Sequence, residues 1–248
     1  ISIDDLKRDY DAVVMSIGLQ LSRSARIPGS NAPGAENAID LLRRFTNGEE
    51  ISVPEKVVVI GAGNVAMDIA RTMARLQKVK YGRVGTTISA RKDISMFRDD
   101  KEEIEEAQEE GIEIFQLRSP QEMMLHQDGE RAGEIRALRS WKVIPGWDEK
   151  GRFDPSYEQD DLEIPADMIV EATGQQADLE LLSKYLVEAL EWNRGYMKTD
   201  AMGRTSVPWL WAGGDAVNGP DVISAVADGH RIAESVNAFL TAGREAIG

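Results

Sequence analysis

The sequence predicts an α/β fold, a parallel sheet with helical crossovers broken by an antiparallel excursion. Three observations carry this expectation. From Lys56 onward short β-branched runs alternate with amphipathic stretches, the rhythm that gives right-handed crossovers and a parallel sheet. Between Glu134 and Gly174 the pattern changes to longer strand-like stretches, "EIRALRSWKVIPGW" and "DLEIPADMIVEATG", joined by the turn-rich "DEKGRFDPSYEQD". A glycine-rich turn, "GAGNVA", sits between the first β-branched run and the helical stretch after it.

Taken in order, "YDAVVMSIG" (Tyr10 to Gly18) is an apolar run ended by glycine and reads as a buried strand. Pro28-Gly29 and Pro33-Gly34 punctuate a loop, and "AENAIDLLRRF" has helical spacing with Ile39, Leu42 and Phe45 near one face. "TNGEEISVPE" reads as a linker and places a domain boundary between residues 53 and 54. "KVVVI", Lys56 to Ile60, suits a strand covered on both faces. A helix is expected over roughly Asn64 to Leu76, burying Val65, Ile69, Met73 and Leu76. "GTTISARK" (strand), the acidic helix Asp99 to Glu110 and "IEIFQLRSP" (strand) follow. The excursion returns through a buried strand, Met168 to Ala172; then come a helical segment, the strand and loop "GRTSVPWLWAGGD", and a helix from about Val222 to Leu240.

Composition excludes several kinds of chemistry. A formal net charge of −14 over 248 residues argues against nucleic-acid partners, whose phosphates attract basic surfaces. No apolar run approaches the ~18 residues of a membrane span and no leader opens the chain, so a cytoplasmic protein without membrane contact is expected. With no cysteine there is no thiolate nucleophile, redox dithiol or cysteine-held iron–sulfur cluster. Two histidines in unrelated contexts, His126 and His230, argue against a metal site or a Ser/His/Asp triad. A chain that opens on Ile1 is expected to be a piece of a longer one.

"VVVIGAGNVAMDIA" fits G-x-G-x-x-A at Gly61, Gly63 and Ala66, in the strand–turn–helix context that a dinucleotide site requires. Gly61 permits the turn, Gly63 lets a pyrophosphate approach the backbone, and Ala66 lets helix and strand pack closely. The N–H groups of Asn64, Val65 and their neighbours, at the positive end of the helix dipole, then face the phosphates. The bland alternative is a glycine turn with no ligand. The next strand ends in "SARKD": where an NAD-binding site would place an acid for the ribose, this chain has Arg91 and Lys92. Two cations suit a 2′-phosphate, favouring NADP(H) over NAD(H); the alternative is a solvated basic pair. The acidic helix, with Ile104 and Ala107 as its apolar stripe, reads first as a solvated face and second as a docking face for a basic partner.

Across nearly the whole chain, the order of "YDAVVMSIG", "IPGSNAPG", "VVVIGAGNVAMDIART", "SARKD", "EEAQEEGIE", "IPADMIVEATG" and "WLWAGGDAVNGPDVISAVADGHRIAESV" resembles the NAD(P)H-dependent flavin oxidoreductases of the glutamate synthase small-subunit type. These belong to the pyridine nucleotide-disulfide oxidoreductase superfamily. The resemblance implies a Rossmann-like NADP-binding domain, residues 54–174, inserted into a partial FAD-type domain made of residues 1–53 and 175–248. It implies that Gly174, which ends "IPADMIVEATG", is a cofactor-binding residue and that Gly213, Gly214 and Asp215 hold FAD, the aspartate accepting from a ribityl hydroxyl. Val222 and Ile223 would start a helix facing the flavin, where a positive helix end stabilises the reduced ring. Read alone, "GGD" is equally a glycine turn capped by aspartate. In this family a first FAD fingerprint and a cysteine-rich cluster domain lie upstream, so the FAD site of this chain is expected to be incomplete.

The function so implied is hydride transfer from NADPH to FAD, with electrons passed to iron–sulfur centres or a partner subunit. No side chain need act as acid or base, so no catalytic residue is nominated. Two other readings stand beside it. One is a flavin-free NADP-dependent dehydrogenase, for which Lys80 and Tyr81 are available as polarising groups. The other is a non-catalytic nucleotide-sensing or docking module.

Overall fold

The computed structural model describes residues 2–97 and 101–245. The chain forms two compact units, one of Ser22–Gly174 and one that joins Ile1–Leu21 to Gln175–Gly248. It opens with α1 (Ile3–Asp9), β1 (Val13–Met15) and the two-residue β2 (Leu21–Ser22). The continuous unit then carries β3 (Ala35–Asn37), α2 (Ala38–Thr46), β4 (Val57–Ile60), α3 (Asn64–Tyr81), β5 (Thr86–Ser89), α4 (Lys101–Glu109) and β6 (Glu113–Phe115). It continues with β7 (Arg118–Leu125), β8 (Ile135–Ile144), β9 (Ser156–Pro165) and β10 (Met168–Glu171). The return segment holds β11 (Gln175–Gln176), α5 (Lys184–Ala189), β12 (Trp192–Asn193), β13 (Tyr196–Met197), β14 (Leu210–Ala212), α6 (Asp215–Asn218) and α7 (Val222–Glu245).

In the continuous unit a five-stranded sheet has the order β3-β10-β4-β5-β6, every pair parallel. All four residues of β4 are buried, as the β-branched run predicts for a strand covered on both faces. Val57 and Val59 pack with Ile69, Met73 and Ala74 of α3, while Val58 and Ile60 pack on Met123, Ile135 and Leu138 of the three-stranded antiparallel sheet β7-β8-β9. Gln77, fully buried in α3, is satisfied at both ends of its amide. It donates to the carbonyls of Pro54 (2.8 Å) and Glu55 (3.2 Å) and accepts from Gly85 N–H and Thr86 Oγ1 (both 2.9 Å), which fixes the entries to β4 and β5.

Four local expectations are corrected. The units part at Leu21/Ser22 rather than at residues 53/54, because Ala35–Asn37, too short and polar to announce a strand, pairs with β10, and α2 packs Leu41 into the α3 core. "IEIFQLRSP" is two strands: Leu117 takes φ +55° between them, so β6 stays in the parallel sheet and the antiparallel excursion begins at Arg118. Residues 156–160, placed by sequence in a turn-rich joint, belong to β9. Helix α3 runs on to Tyr81, where Gly82 in the left-handed region (φ +69°) ends it.

The acidic helix spans Lys101–Glu109, and Asp99 lies outside the described residues. Its Glu106, with Glu110 just beyond the helix, pairs with Arg71 of α3 at 2.7 and 2.9 Å.

In the other unit β1 and β14 pair in parallel, and Leu210, Ala212 and Met15 share a core with Leu186, Leu190 and Met197. Trp211 is fully buried, donating to Ser235 Oγ at 2.9 Å and meeting Phe239 edge-on. Among the described residues no helix is long and apolar enough to cross a membrane.

Candidate nucleotide-binding site

β4 lies between β10 and β5, so the loop after Ile60 emerges where three parallel strand ends meet. Gly61 opens it, its N–H donating to Ser89 O at 3.1 Å. A Cβ on Gly61 would stand 2.5 Å from Ala172 O and 3.0 Å from Ala66 Cβ, so the strand-to-helix approach admits no side chain there. Gly63 differs. Its backbone is extended (φ −141°), open to any residue, and a Cβ on it would meet nothing within 4 Å. Nothing among the described residues requires glycine at this position; the bare backbone leaves space for something outside the protein.

Gly63 is also the N-cap of α3 and offers no side chain to its amides. Ala66 and Met67 N–H donate to Gly63 O, at 2.6 and 3.2 Å, and the amides of Asn64 and Val65 have no acceptor among the described residues. The first turn holds no acidic residue, so the positive end of an 18-residue helix is unneutralised.

The backbone that carries the two cations is fixed on both sides. Ala90 N–H donates to Phe115 O (2.9 Å), Arg118 N–H to Ala90 O (2.8 Å) and Leu117 N–H to Lys92 O (3.4 Å). The side chains of Arg91 and Lys92 have no ion-pair partner among the described residues. The neighbouring Asp93 is engaged by Ser95, which donates to its carboxylate from side chain (2.6 Å) and backbone (3.0 Å), and these bonds hold its pKa below the ordinary aspartate value. Gly61, Gly63, Arg91 and Lys92 line a cleft of about 550 Å³ at the strand ends; Asn64, Val65 and Ala66 follow Gly63 in α3 and are not part of its lining.

The far wall of the cleft was not legible in the sequence. Arg23, a third cation, lines it beside Thr173 and Gly174. Thr173 Oγ1 donates to Arg23 O at 2.6 Å, and Arg23 N–H donates to Gly174 O at 2.9 Å. Behind them Glu171, 3 % exposed, accepts through Oε1 from Ser24 Oγ (3.3 Å), Ala25 N–H (3.1 Å) and Ser30 Oγ (3.0 Å). No Asp or Glu lines the cleft among the described residues, although the chain as a whole carries −14. A cationic cleft in an acidic protein concentrates field on an anionic ligand. The residues present therefore fit a phosphorylated nucleotide.

Lys80 and Tyr81 are elsewhere. Both donate to Val53 O, at 3.0 and 2.7 Å, from the carboxyl end of α3, the helix end opposite Gly63. They hold the entry to β4 and cannot polarise a substrate in the cleft.

In the other unit, the loop after β14 places Gly213, Gly214 and Asp215. Gly213 N–H donates to Met15 O at 3.2 Å, and a Cβ on Gly213 would lie 2.6 Å from Ile232 Cδ1. Gly214 takes φ +74° and spends its N–H on Asp228 Oδ2 at 2.8 Å; Asp228, buried, also accepts from Asn218 and pairs with Arg231. Asp215, half-buried at the start of α6, has no side-chain partner among the described residues. Val222 and Ile223 start α7 with their side chains 79 % and 80 % exposed. Asp221 holds part of that helix end: it accepts Ser224 N–H at 2.8 Å, and bonds from Ser224 and from the Ile223 amide depress its pKa. An apolar groove of about 450 Å³ runs beside this loop along α7. An unpartnered carboxylate beside a glycine turn and an apolar groove fits part of a flavin site.

The fold and the glycine cleft define a dinucleotide-binding α/β protein. The chain belongs to the pyridine nucleotide-disulphide oxidoreductase family, whose model matches residues 3–229. It is 31 % identical to the putative oxidoreductase AegA of Escherichia coli K12 over 97 % of this chain and 38 % of that protein. It is 30 % identical to the glutamate synthase [NADPH] small chain of the same organism, over 97 % of this chain and 52 % of that one. The chain thus spans about two-fifths to half of these relatives. The solved structure of Mycobacterium tuberculosis FprA in complex with NADPH matches 100 % of this chain and 67 % of its own, with TM-score 0.79 and 18 % identity, a likeness of fold.

Proposed function

We propose that this chain is the NADPH-binding and partial FAD-binding portion of a flavoprotein oxidoreductase that resembles the glutamate synthase small chain and works in the cytoplasm. The observation that carries the reading is that, among the described residues, the Asn64 and Val65 amides beside an uncontacted Gly63 lack acceptors and the cations Arg91 and Lys92 lack ion-pair partners. The amides would hold the pyrophosphate and the cations the 2′-phosphate, so the unit Ser22–Gly174 would supply the nicotinamide site. Gly214, Asp215, Val222 and Ile223 would hold part of the flavin. When bound, NADPH supplies a hydride and FAD receives it, chemistry that belongs to the cofactors.

The protein's own contributions are to bind, orient and set the field: Arg91 and Lys92 select the phosphorylated ribose, and Asp215 fixes a hydroxyl. With no cysteine in the sequence, no dithiol of this chain can take the electrons, and the acceptor of this reading is an iron–sulfur centre or a partner subunit outside it. The name of the glutamate synthase relative marks it as one chain of a larger enzyme, in keeping with such a partner.

The test is anaerobic addition of NADPH to the protein produced from its complete gene. The reading expects a bound flavin whose visible absorbance bleaches with NADPH, and faster than with NADH. Purification without flavin, with NADPH bound, would favour the flavin-free dehydrogenase instead.

A further inference from the structure

The floor of the cleft holds a group that the described residues leave without a partner. In the parallel register Glu171 pairs with Ile60, and Ile60 with Ser89. Paired residues on neighbouring parallel strands point to the same face, so these three side chains form one cross-strand row. It lies on the face away from α3, since Ile60 packs with Val58 on the antiparallel sheet. The outer two members are polar. Glu171 is satisfied by three donors on the 24–30 segment.

Ser89 is not satisfied. It is 1 % exposed, its Oγ has no hydrogen-bond partner among the described residues, and it lines the cleft beside Ile60 and Ser119. The nearby Ser119 hydroxyl is already engaged by Gln121 at 3.2 Å. A buried hydroxyl left unpaired is a net cost to the folded state, and the great majority find a partner. Here the partner is missing in a cleft whose cations Arg91 and Lys92 also lack an ion-pair partner among the described residues.

We infer that Ser89 Oγ is a further cofactor-binding group, hydrogen-bonded to the 3′-hydroxyl of the adenosine ribose; this rests on the reading of the cleft as an NADPH site. Position decides which part of the nucleotide it meets. The Ser89 carbonyl holds Gly61, where the pyrophosphate cradle begins, and Arg91, the 2′-phosphate cation, follows two residues later. The group between a pyrophosphate and a 2′-phosphate is the ribose, and its one free hydroxyl is the 3′. Glu171, across Ile60, takes its three donors from the 24–30 segment on Oε1 and does not line the cleft.

The experiment is calorimetric titration of the protein and its Ser89→Ala variant with adenosine 2′,5′-bisphosphate and with the 3′-deoxy analogue of that ligand. The wild type is expected to prefer the parent ligand about fivefold, the worth of one ordinary hydrogen bond. Ser89→Ala is expected to bind both ligands alike, at the wild-type affinity for the deoxy analogue, with a thermal midpoint no lower than wild type. A variant that keeps the preference, one that loses affinity for both ligands equally, or a wild type that shows no preference overturns the inference. Wild-type protein that binds neither ligand overturns the NADPH reading itself, a result distinct from the others.

Discussion

The carbonyl oxygen of Ala172 stands 2.5 Å from where a side chain on Gly61 would begin. The end of β10 thus closes against the start of the glycine loop, whereas two residues on Gly63 faces open space. The two glycines should therefore fail differently. Gly61→Ala forces the loop off Ala172, an overpacking cost of about 1–3 kcal/mol, and should lower the thermal midpoint. Gly63→Ala should melt as wild type and yet bind NADPH about tenfold more weakly, because its methyl occupies the phosphate approach. Thermal denaturation paired with nucleotide titration checks both; equal stability losses would contradict the assignment.

Arg91 provides a test of cofactor choice. Replacing it by glutamate sets a negative charge against the 2′-phosphate, so Arg91→Glu should weaken NADPH by about tenfold or more and leave NADH within about twofold. Titration of the variant with both nucleotides decides; equal losses would remove the cation pair from the ribose.

Glu171 joins the end of β10 to the 24–30 segment through three donors on one oxygen. Glu171→Ala strands those donors and should destabilise the protein by about 2 kcal/mol in urea unfolding. Glu171→Gln, which keeps an acceptor oxygen, should lose less. An alanine variant as stable as wild type would show that the segment is held by other contacts.

Acid stability should depend on Glu110. The Arg71 guanidinium, 2.9 Å away, and then Arg75, at 2.6 Å, hold this carboxyl below the ordinary glutamate pKa against the opposing effect of burial. A carboxyl depressed in the folded state binds its proton more readily when unfolded. Its stabilisation is complete above the unfolded pKa and is lost as pH falls through the folded one. Glu110→Gln should therefore lower stability at neutral pH and flatten its decline on acidification. Unfolding curves of both proteins from pH 7 down to about pH 3 check this; parallel declines would contradict it.

The parts of the site that were legible in the sequence are those whose signal is local. A β-branched run, two glycines and a 3.6-residue apolar period lie within the stretch from Lys56 to Leu76, and the cations Arg91 and Lys92 follow at the end of the next strand. Glu171, Ser89 and Arg23 gave no such sign. Glu171 meets its donors across 141 to 147 residues, and nothing near it in sequence announces a buried acceptor. Ser89 looks like any polar residue at a strand end until its burial and its missing partner are known. The break at Leu117 was hidden because "IEIFQLRSP" reads as one strand, and the turn depends on a non-glycine residue at positive φ. The short edge strand Ala35–Asn37 was hidden because its pairing with β10, not its own composition, makes it a strand. That pairing moved the first boundary from the linker to Leu21/Ser22.

The most direct test of the whole account is a crystal structure of the protein with NADPH. The account predicts the pyrophosphate on the Asn64 and Val65 amides, and the 2′-phosphate within hydrogen-bond reach of Arg91 and Lys92. Nucleotide bound at another place, with the turn from Gly61 to Ala66 bare, would contradict it.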